Sequence, residues 1–400
     1  MRVLLSAYAC VPDLGSEPGA GYALVRAAAE KAECWVLTRG NNIPSLSAAF
    51  EQNPAAHPVH FIGVDASSAI LRLKRRLGSV RLYYALWQRL AWRRALELDS
   101  EVDFDLVHHA TWSAFWLPVG VMGVAKPLVV GPVSGGTVTP RSLLRYLGPK
   151  GLLYDGARWV ASRSAGLLKG RFWREHVDVL IAQNEQTSRY ATHHLVGDGV
   201  PVIVHPHASN PTTPGCSEAD QRVPEVLFVG RLLRWKGVLL ALEAFAQVNV
   251  PGARLVFIGE GEAEAVLDSR IRRLGLQDEV SLLGALPREE VLRRMCQASV
   301  LVFPSFHDSA GFVVSEALSM GVPVVCLNHG GPGALAALWP DVPHYAVEVG
   351  PAKRVVEQLG DALRTLLTDP APVLQGPVGP ATDLSGIVSE AYERALRNRQ

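Results

Sequence analysis

The sequence predicts an α/β protein made of two Rossmann-like parallel-sheet domains, and three observations carry that expectation. Its 400 residues exceed one ordinary core and suit two domains, each of about 200 residues. Apolar runs of strand length alternate with amphipathic stretches of helix length in both halves. Between the halves, residues 206–224 carry Pro206, Pro211, Pro214 and Pro224 without periodicity, which reads as a linker. The domains are therefore expected over 1–205 and 225–384, with a final helix in 385–400.

Composition narrows the class. Hydrophobic residues at 48% and charged residues at 19% describe a packed, soluble chain and exclude disorder. The net charge of +1 hides an asymmetry: 22 Lys and Arg face 16 Asp and Glu through His205, a net of +6. The remainder carries 17 against 22, a net of −5. An anionic partner is expected for the basic half. Five cysteines (Cys10, Cys34, Cys216, Cys296, Cys326) are odd in number and lack metal spacing; they read as free thiols of a reducing cytoplasm. The first ten residues, MRVLLSAYAC, form too short an apolar run for a signal peptide and read as a strand. Residues 106–125 lack charge, but His108, His109, Thr111, Pro118, Gly120 and Gly123 argue against a membrane span.

In chain order, strand RVLLSAY leads into a loop holding Gly15, Gly19 and Gly21, then a helix from about Ala20 to Lys31. Glycines there let backbone approach a ligand closely. The loop is longer than G-x-G-x-x-G and carries Glu17-Pro18, so a plain strand–helix turn reads equally well. Residues 69–98 read as a helix with Arg72, Lys74, Arg75, Arg76, Arg81, Arg89, Arg93 and Arg94, interleaved with Tyr83, Tyr84, Trp87 and Trp92. A second stretch, 141–174, sets eight basic residues among Leu152, Leu153, Trp159, Leu167, Leu168 and Phe172. Two readings stand for 72–94 and 141–174: solvated basic faces, or surfaces that lie on anionic lipid. Neither matches a nucleic-acid module. Strand LVHH closes with His108 and His109, and strand KPLVVGPV ends in a Ser134-Gly135-Gly136-Thr137 loop. The remaining histidine pairs lack a carboxylate or cysteine at ligand spacing, so no metal site is expected.

After the linker the alternation restarts: VLFVGRL, a helix over 237–248, RLVFIGEG, a helix over 262–275, VSLLG, a helix over 287–297, and VLVFPS. Arg231 and Lys236 follow the first of these strands, where two cations would contact a diphosphate and neutralise a leaving group in place of Mg²⁺. The most informative stretch is FPSFHDSAGFVVSEALSMGVPVVCLNHGG, from Phe303 to Gly331. A strand breaks at Pro304 into a polar loop, a helix begins near Gly311 and stops at Gly321, and VPVVCL forms the next strand. Ligands of open α/β sheets bind at the carboxyl end of such strands, and the helix start suits phosphate. Asp308 and Glu316, eight residues apart, are placed to face one ligand: ribose hydroxyls at Glu316, sugar near Asp308, phosphate at Gly311. That constellation describes a nucleotide-sugar site.

The spacing resembles the carboxylate-x7-carboxylate signature of glycosyltransferase family 4, retaining enzymes of GT-B architecture. Asp308-Ser309-Ala310-Gly311 is closest to a DSGG-type subset of bacterial polysaccharide enzymes, from which Ala310 departs. VGRLLRWKG resembles the family's GRL…KG motif, GSEPGAG its N-terminal phosphate-facing loop, and GPVSGG an acceptor-side loop. The resemblance implies two domains facing each other across a deep cleft. It implies a donor held by Gly19, Gly21, Arg231, Lys236, Ser309, Gly311, Phe312 and Glu316. His109 and Asp308 would be catalytic, and Glu17, Gly135 and Gly136 would lie on the acceptor side. Many members have H-x-H where this chain has His108-His109-Ala110, so His108 stays the alternative to His109. Asp103-Phe104-Asp105 spells a metal-binding DxD of another transferase class and is set aside because the rest is GT-B-like.

The implied activity is a metal-independent hexosyl transfer by front-face substitution, serving polysaccharide or glycolipid synthesis. A nucleotide-diphosphate sugar is the donor substrate, and a carbohydrate or lipid-linked molecule the acceptor. No metal, NAD or pyridoxal phosphate is expected, nor a nucleic-acid partner. The expected location is cytoplasmic, peripheral on the inner membrane face. Two rivals are a GT-B nucleotide-sugar epimerase or phosphorylase-like enzyme, and a non-catalytic nucleotide-sugar-binding partner of another transferase.

Overall fold

The computed structural model describes residues 1–12, 14, 16–67, 80–206, 216, 223–370, 374, 378–380 and 383–399, with the side chains of 80, 81 and 113 left aside. The chain divides into two compact units. The first comprises Met1–Gly136, Ala161–Ser209 and Asp383–Gln400; the second comprises Thr137–Val160 and Asn210–Thr382.

The first unit is an eight-stranded sheet of β1 (Arg2–Ser6), β2 (Glu33–Thr38), β3 (Val59–Gly63), β4 (Leu106–His109), β5 (Ser113–Ala114), β6 (Leu128–Ser134), β7 (Val179–Ala182) and β8 (Val202–Val204). The order is β3-β2-β1-β4-β6-β7-β8, with β5 beside β6 and every pairing parallel. The chain starts in the middle, steps outward to β3, and returns to the other side of β1 at β4. Carboxyl ends diverge at that reversal and leave a crevice between them.

The second unit repeats the device with β9 (Val223–Val229), β10 (Arg254–Ile258), β11 (Val280–Leu282), β12 (Ala298–Phe303), β13 (Val324–Leu327) and β14 (His344–Val347). Its order is β11-β10-β9-β12-β13-β14, all parallel. All six residues of β12 and all four of β13 are buried. Such unbroken apolar runs suit strands covered on both faces by helices. The reversal falls between β9 and β12.

Four expectations need correction. Thr137–Val160 packs in the second unit rather than the first, because Asp155 and Arg158 bond Thr139 and Thr137 near His307, and Tyr146 packs on Phe306. Cys216 and Cys296 are joined by a disulfide (S–S 2.10 Å), since the end of helix Arg288–Gln297 meets Cys216 of the 206–224 stretch. Only Cys10, Cys34 and Cys326 are free, and all three are buried. In helix Val80–Val102, Tyr83, Tyr84 and Trp87 face the core rather than a lipid-facing surface. Arg72, Lys74, Arg75 and Arg76 lie outside the described residues, as does Gly15. The first helix, Ser16–Ala29, starts four residues before Ala20, since Pro18 fits a helix's first turn without losing a bond.

The final helix, Leu384–Arg397, buries Val388, Ala391, Tyr392 and Ala395 in the first unit's core. No helix among the described residues is long and apolar enough to cross a membrane.

Candidate functional site

In the second unit, β9 gives way to Arg231 and a 3-10 turn, Arg234–Lys236, closed by Gly237 at φ +81°. A Cβ on Gly237 would meet the Pro304 carbonyl oxygen at 2.1 Å, so only glycine lets this turn lie against the exit of β12. The Trp235 carbonyl accepts from Phe306 N at 2.9 Å and from Ser305 Oγ at 3.3 Å, which fastens the two exits together. Lys236 Nζ then reaches the Asp308 carboxylate, 4.7 Å from the Trp235 ring centroid and 4.9 Å from that of Phe303.

Asp308 Oδ1 also accepts from the backbone N–H of Gly311 at 3.1 Å. Burial works to raise the Asp308 pKa, but Lys236 and the neighbouring N–H groups outweigh it and hold the carboxyl below its usual range. The Gly311 N–H, offered to phosphate by the sequence reading, is thus bonded to Asp308. Ser309 and Phe312 flank it, half-buried, and Ala310 is buried. Helix Phe312–Ser319 buries Glu316, whose Oε1 accepts from Arg288 at 2.8 Å. Arg231 is exposed and has no ion-pair or hydrogen-bond partner among the described residues.

The corresponding exits of the first unit carry Glu17 and the histidine pair. Gly19 and Gly21 lie inside helix Ser16–Ala29, where added Cβ atoms would strike the carbonyl oxygens of Leu14 and Ala9 at 1.9 and 2.0 Å. Glycine is demanded there by the chain's own close approach. Glu17 Oε1 accepts from Trp112 N at 2.6 Å. Burial pushes the Glu17 carboxyl up to about 7, partly offset by that bond.

His108 and His109 point to opposite faces of the sheet, as successive strand residues must. His108 contacts Tyr392 Oη at 3.0 Å and the Gly131 carbonyl at 2.9 Å, using both ring nitrogens. His109 Nε2 lies 3.4 Å from Tyr84 Oη, while its Nδ1 has no hydrogen-bond partner among the described residues. Burial pulls His108 down to about 4 and His109 down to about 3, so both are neutral near pH 7. Tyr8 packs against Tyr84, Trp87 and Trp112 beside them. Gly135 and Gly136 follow β6, one strand over, against Trp116 and Thr187. Gly19 and Gly21, assigned to the donor, thus belong to a different unit from the other donor-binding residues.

The structure adds residues that sequence reasoning missed. His307 is buried, stacks on Trp235 at 4.4 Å, and holds Nε2 3.8 Å from Asp155 Oδ1. Burial first, then the Arg158 charge, lowers its pKa to about 3. Asp155 Oδ1 also accepts from Thr139 Oγ1 at 3.1 Å and Arg158 Nη2 at 3.2 Å. One signal was available: Asp155 is the only acid between 141 and 174. For Arg288, Tyr84 and Trp112 no comparable signal exists.

Residues 212–372 match the family described as glycosyl transferases group 1. A 2-deoxystreptamine glucosyltransferase of Streptomyces kanamyceticus is 28% identical over 226 residues, 54% of this chain and 55% of that one. An amylovoran biosynthesis glycosyltransferase of Erwinia amylovora is 32% identical over 172 residues, 38% of this chain and 41% of that one. The chain thus spans about half the length of these relatives. Anabaena HepE, solved in complex with UDP and glucose, matches with TM-score 0.56 and 17% identity over 100% of this chain and 98% of that chain. That likeness is one of fold: α/β, two Rossmann-like parallel-sheet domains of GT-B type.

Proposed function

We propose that the chain is a retaining glycosyltransferase of the family-4 type, moving a hexose from a nucleotide-diphosphate sugar to an acceptor hydroxyl in bacterial polysaccharide or glycolipid synthesis. One observation carries the reading: Lys236, in the turn after β9, meets Asp308, in the segment after β12, at the reversal of the second sheet, where Arg231 also leaves β9. An incoming diphosphate competes with Asp308 for Lys236 and engages exposed Arg231. Asp308, relieved of that partner, then accepts from sugar hydroxyls, and Glu316, steadied by Arg288, accepts from ribose. The acceptor oxygen bonds to the anomeric carbon as the carbon–oxygen bond to the diphosphate breaks on the same face. The departing phosphate takes the acceptor proton. Arg231 and Lys236 stabilise its charge without a metal. Neutral His109, Glu17 and the Gly135–Gly136 loop receive the acceptor.

The UDP and glucose bound to HepE make UDP-glucose the first donor to try. The test is incubation with UDP-, GDP- and ADP-sugars in EDTA, reading nucleotide release and product anomer by NMR. Transfer with retained configuration is expected. Inversion, or loss of activity on chelation with recovery in Mn²⁺, overturns the reading and reopens Asp103 and Asp105.

The acceptor is proposed to be lipid-linked and met at a membrane's cytoplasmic face. Supporting this, helix Gly148–His176 leaves Leu167 and Leu168 exposed by 85% and 82%, followed by exposed Arg171 and Arg174. Sedimentation with anionic vesicles is expected to retain wild type and lose Leu167→Glu/Leu168→Glu. Equal behaviour of the two removes this helix from membrane contact.

A further inference from the structure

The second unit holds a separate cavity of about 420 Å³, away from the Lys236–Asp308 pair, whose lining includes Arg145, Arg234, Arg270 and Arg273 with Tyr146 and Glu243. Glu243 is the single carboxylate on this wall. Its Oε1 accepts from Arg270 Nη2 at 2.7 Å and its Oε2 from Tyr146 Oη at 2.6 Å. Arg145 reaches Tyr146 Oη at 3.0 Å and lies over that ring at 4.9 Å. Arg234 Nη1 stands 3.5 Å from the Tyr146 carbonyl, and Arg273 has no ion-pair or hydrogen-bond partner among the described residues. Four guanidinia thus share one carboxylate, leaving three positive charges in excess on a concave wall. Like charges gathered this way repel one another unless an anion joins them.

We infer that this cavity binds a multiply charged phosphate anion, either a free oligophosphate or the phosphate of a phosphorylated sugar. A lone carboxylate would bring one charge and satisfy one guanidinium fork. A phosphate brings two charges and three oxygens, enough to engage Arg145, Arg234 and Arg273 together. The site is distinct in chemistry from the donor exit, since Arg270 and Arg273 lie on helix Glu264–Leu274 and Glu243 on helix Val238–Phe245. Arg234 nevertheless begins the turn that ends in Lys236, so occupancy bears directly on the segment presenting that lysine.

The test is calorimetric titration of the full chain with inorganic pyrophosphate and with glucose 6-phosphate. Three proteins are compared: wild type, Arg145→Ala/Arg273→Ala, and Arg231→Ala/Lys236→Ala. Both replaced pocket arginines are exposed, and matching thermal melts establish that the variant folds. At least a tenfold loss of affinity for one probe is expected in Arg145→Ala/Arg273→Ala, while Arg231→Ala/Lys236→Ala keeps that binding. The probe that responds identifies the source of the phosphate. Wild-type affinity for both probes in Arg145→Ala/Arg273→Ala overturns the inference. So does binding lost only in Arg231→Ala/Lys236→Ala, which would assign all anion affinity to the donor exit. The donor reading fails independently, if Arg231→Ala/Lys236→Ala leaves nucleotide-sugar affinity intact.

Discussion

The exits of β1 and β4 in the first unit and of β9 and β12 in the second occupy the same place in two sheets that reverse alike. Their chemistry is opposite. In the first, burial works against charge: His109 is pulled down to about 3 and is neutral, and Glu17 is pushed up to about 7, among Tyr8, Tyr84 and Trp112. In the second, ions are kept and paired, Lys236 with Asp308 and Arg288 with Glu316, while Arg231 stands exposed. Sheet topology supplies a crevice in either case; desolvation or pairing decides what it can hold. Neutral donors and aromatic faces suit sugar hydroxyls and rings. Paired ions suit a diphosphate, which can replace Asp308 as the partner of Lys236.

Four substitutions press on that contrast. Lys236→Ala should act most strongly, reducing turnover by roughly 10²–10³, the effect of removing a preorganised charge donor. It also leaves Asp308 without its cation, so the melting temperature should fall; unchanged turnover in a nucleotide-release assay would show that the charged exit is not where donor chemistry occurs.

Glu17 tests the neutral side. Its folded pKa lies above the ordinary value of 4.5, near 7, so the folded chain holds a proton there that the unfolded chain releases. Stability should therefore fall as pH rises from about 4.5 to 7 and stay low above it. Glu17→Gln should remove up to about 3 kcal/mol of that slope. Urea midpoints at pH 5 and pH 8 measure it, and an unchanged slope would mean the carboxylate is solvated.

Glu316→Gln should weaken nucleotide binding by about 1.5–3 kcal/mol, the worth of a hydrogen bond to a charged group. Calorimetry decides, and wild-type affinity would remove Glu316 from the ribose. The smallest effect is expected from Tyr84→Phe, which loses the contacts to His109 Nε2 and the Trp112 carbonyl. About 0.5–1.5 kcal/mol of stability should go while nucleotide affinity stays put. A change in nucleotide affinity would show that the two exits are not chemically separate.

Much of this was legible because it is local. The apolar run VLVFPS, the break at Pro304 and the resumption at VPVVCL locate β12, its exit and β13 without tertiary information. Arg231, Lys236 and Asp308 follow as residues just past strand ends. What remained hidden depends on contacts distant in sequence. Periodicity in 141–174 marks a helix but not the core that helix joins, so the Asp155–His307 contact could not be read. Cys216 and Cys296 are 80 residues apart with no spacing rule to link them. For the aromatic residues at 83, 84 and 87 two readings stay open in the sequence, a solvated basic face or a lipid-facing one, because composition says nothing about which way a helix is turned. Gly19 and Gly21 were recognised as required, but for ligand approach rather than for the carbonyls of Leu14 and Ala9.

The assignment of Thr137–Val160 to the second unit and Asp383–Gln400 to the first has a practical consequence. Along the chain the units come as five alternating segments, with four junctions at 136/137, 160/161, 209/210 and 382/383. Neither unit is a contiguous stretch that can be cut out and expressed. A chimera joined once in 206–224 would part Asp155 from His307 and Tyr146 from Phe306 in the second unit, and Tyr392 from His108 in the first. Recombination between relatives that exchanges donor specificity should therefore succeed only when 137–160 travels with 210–382, whereas crossovers at the proline-rich stretch alone should yield insoluble chains.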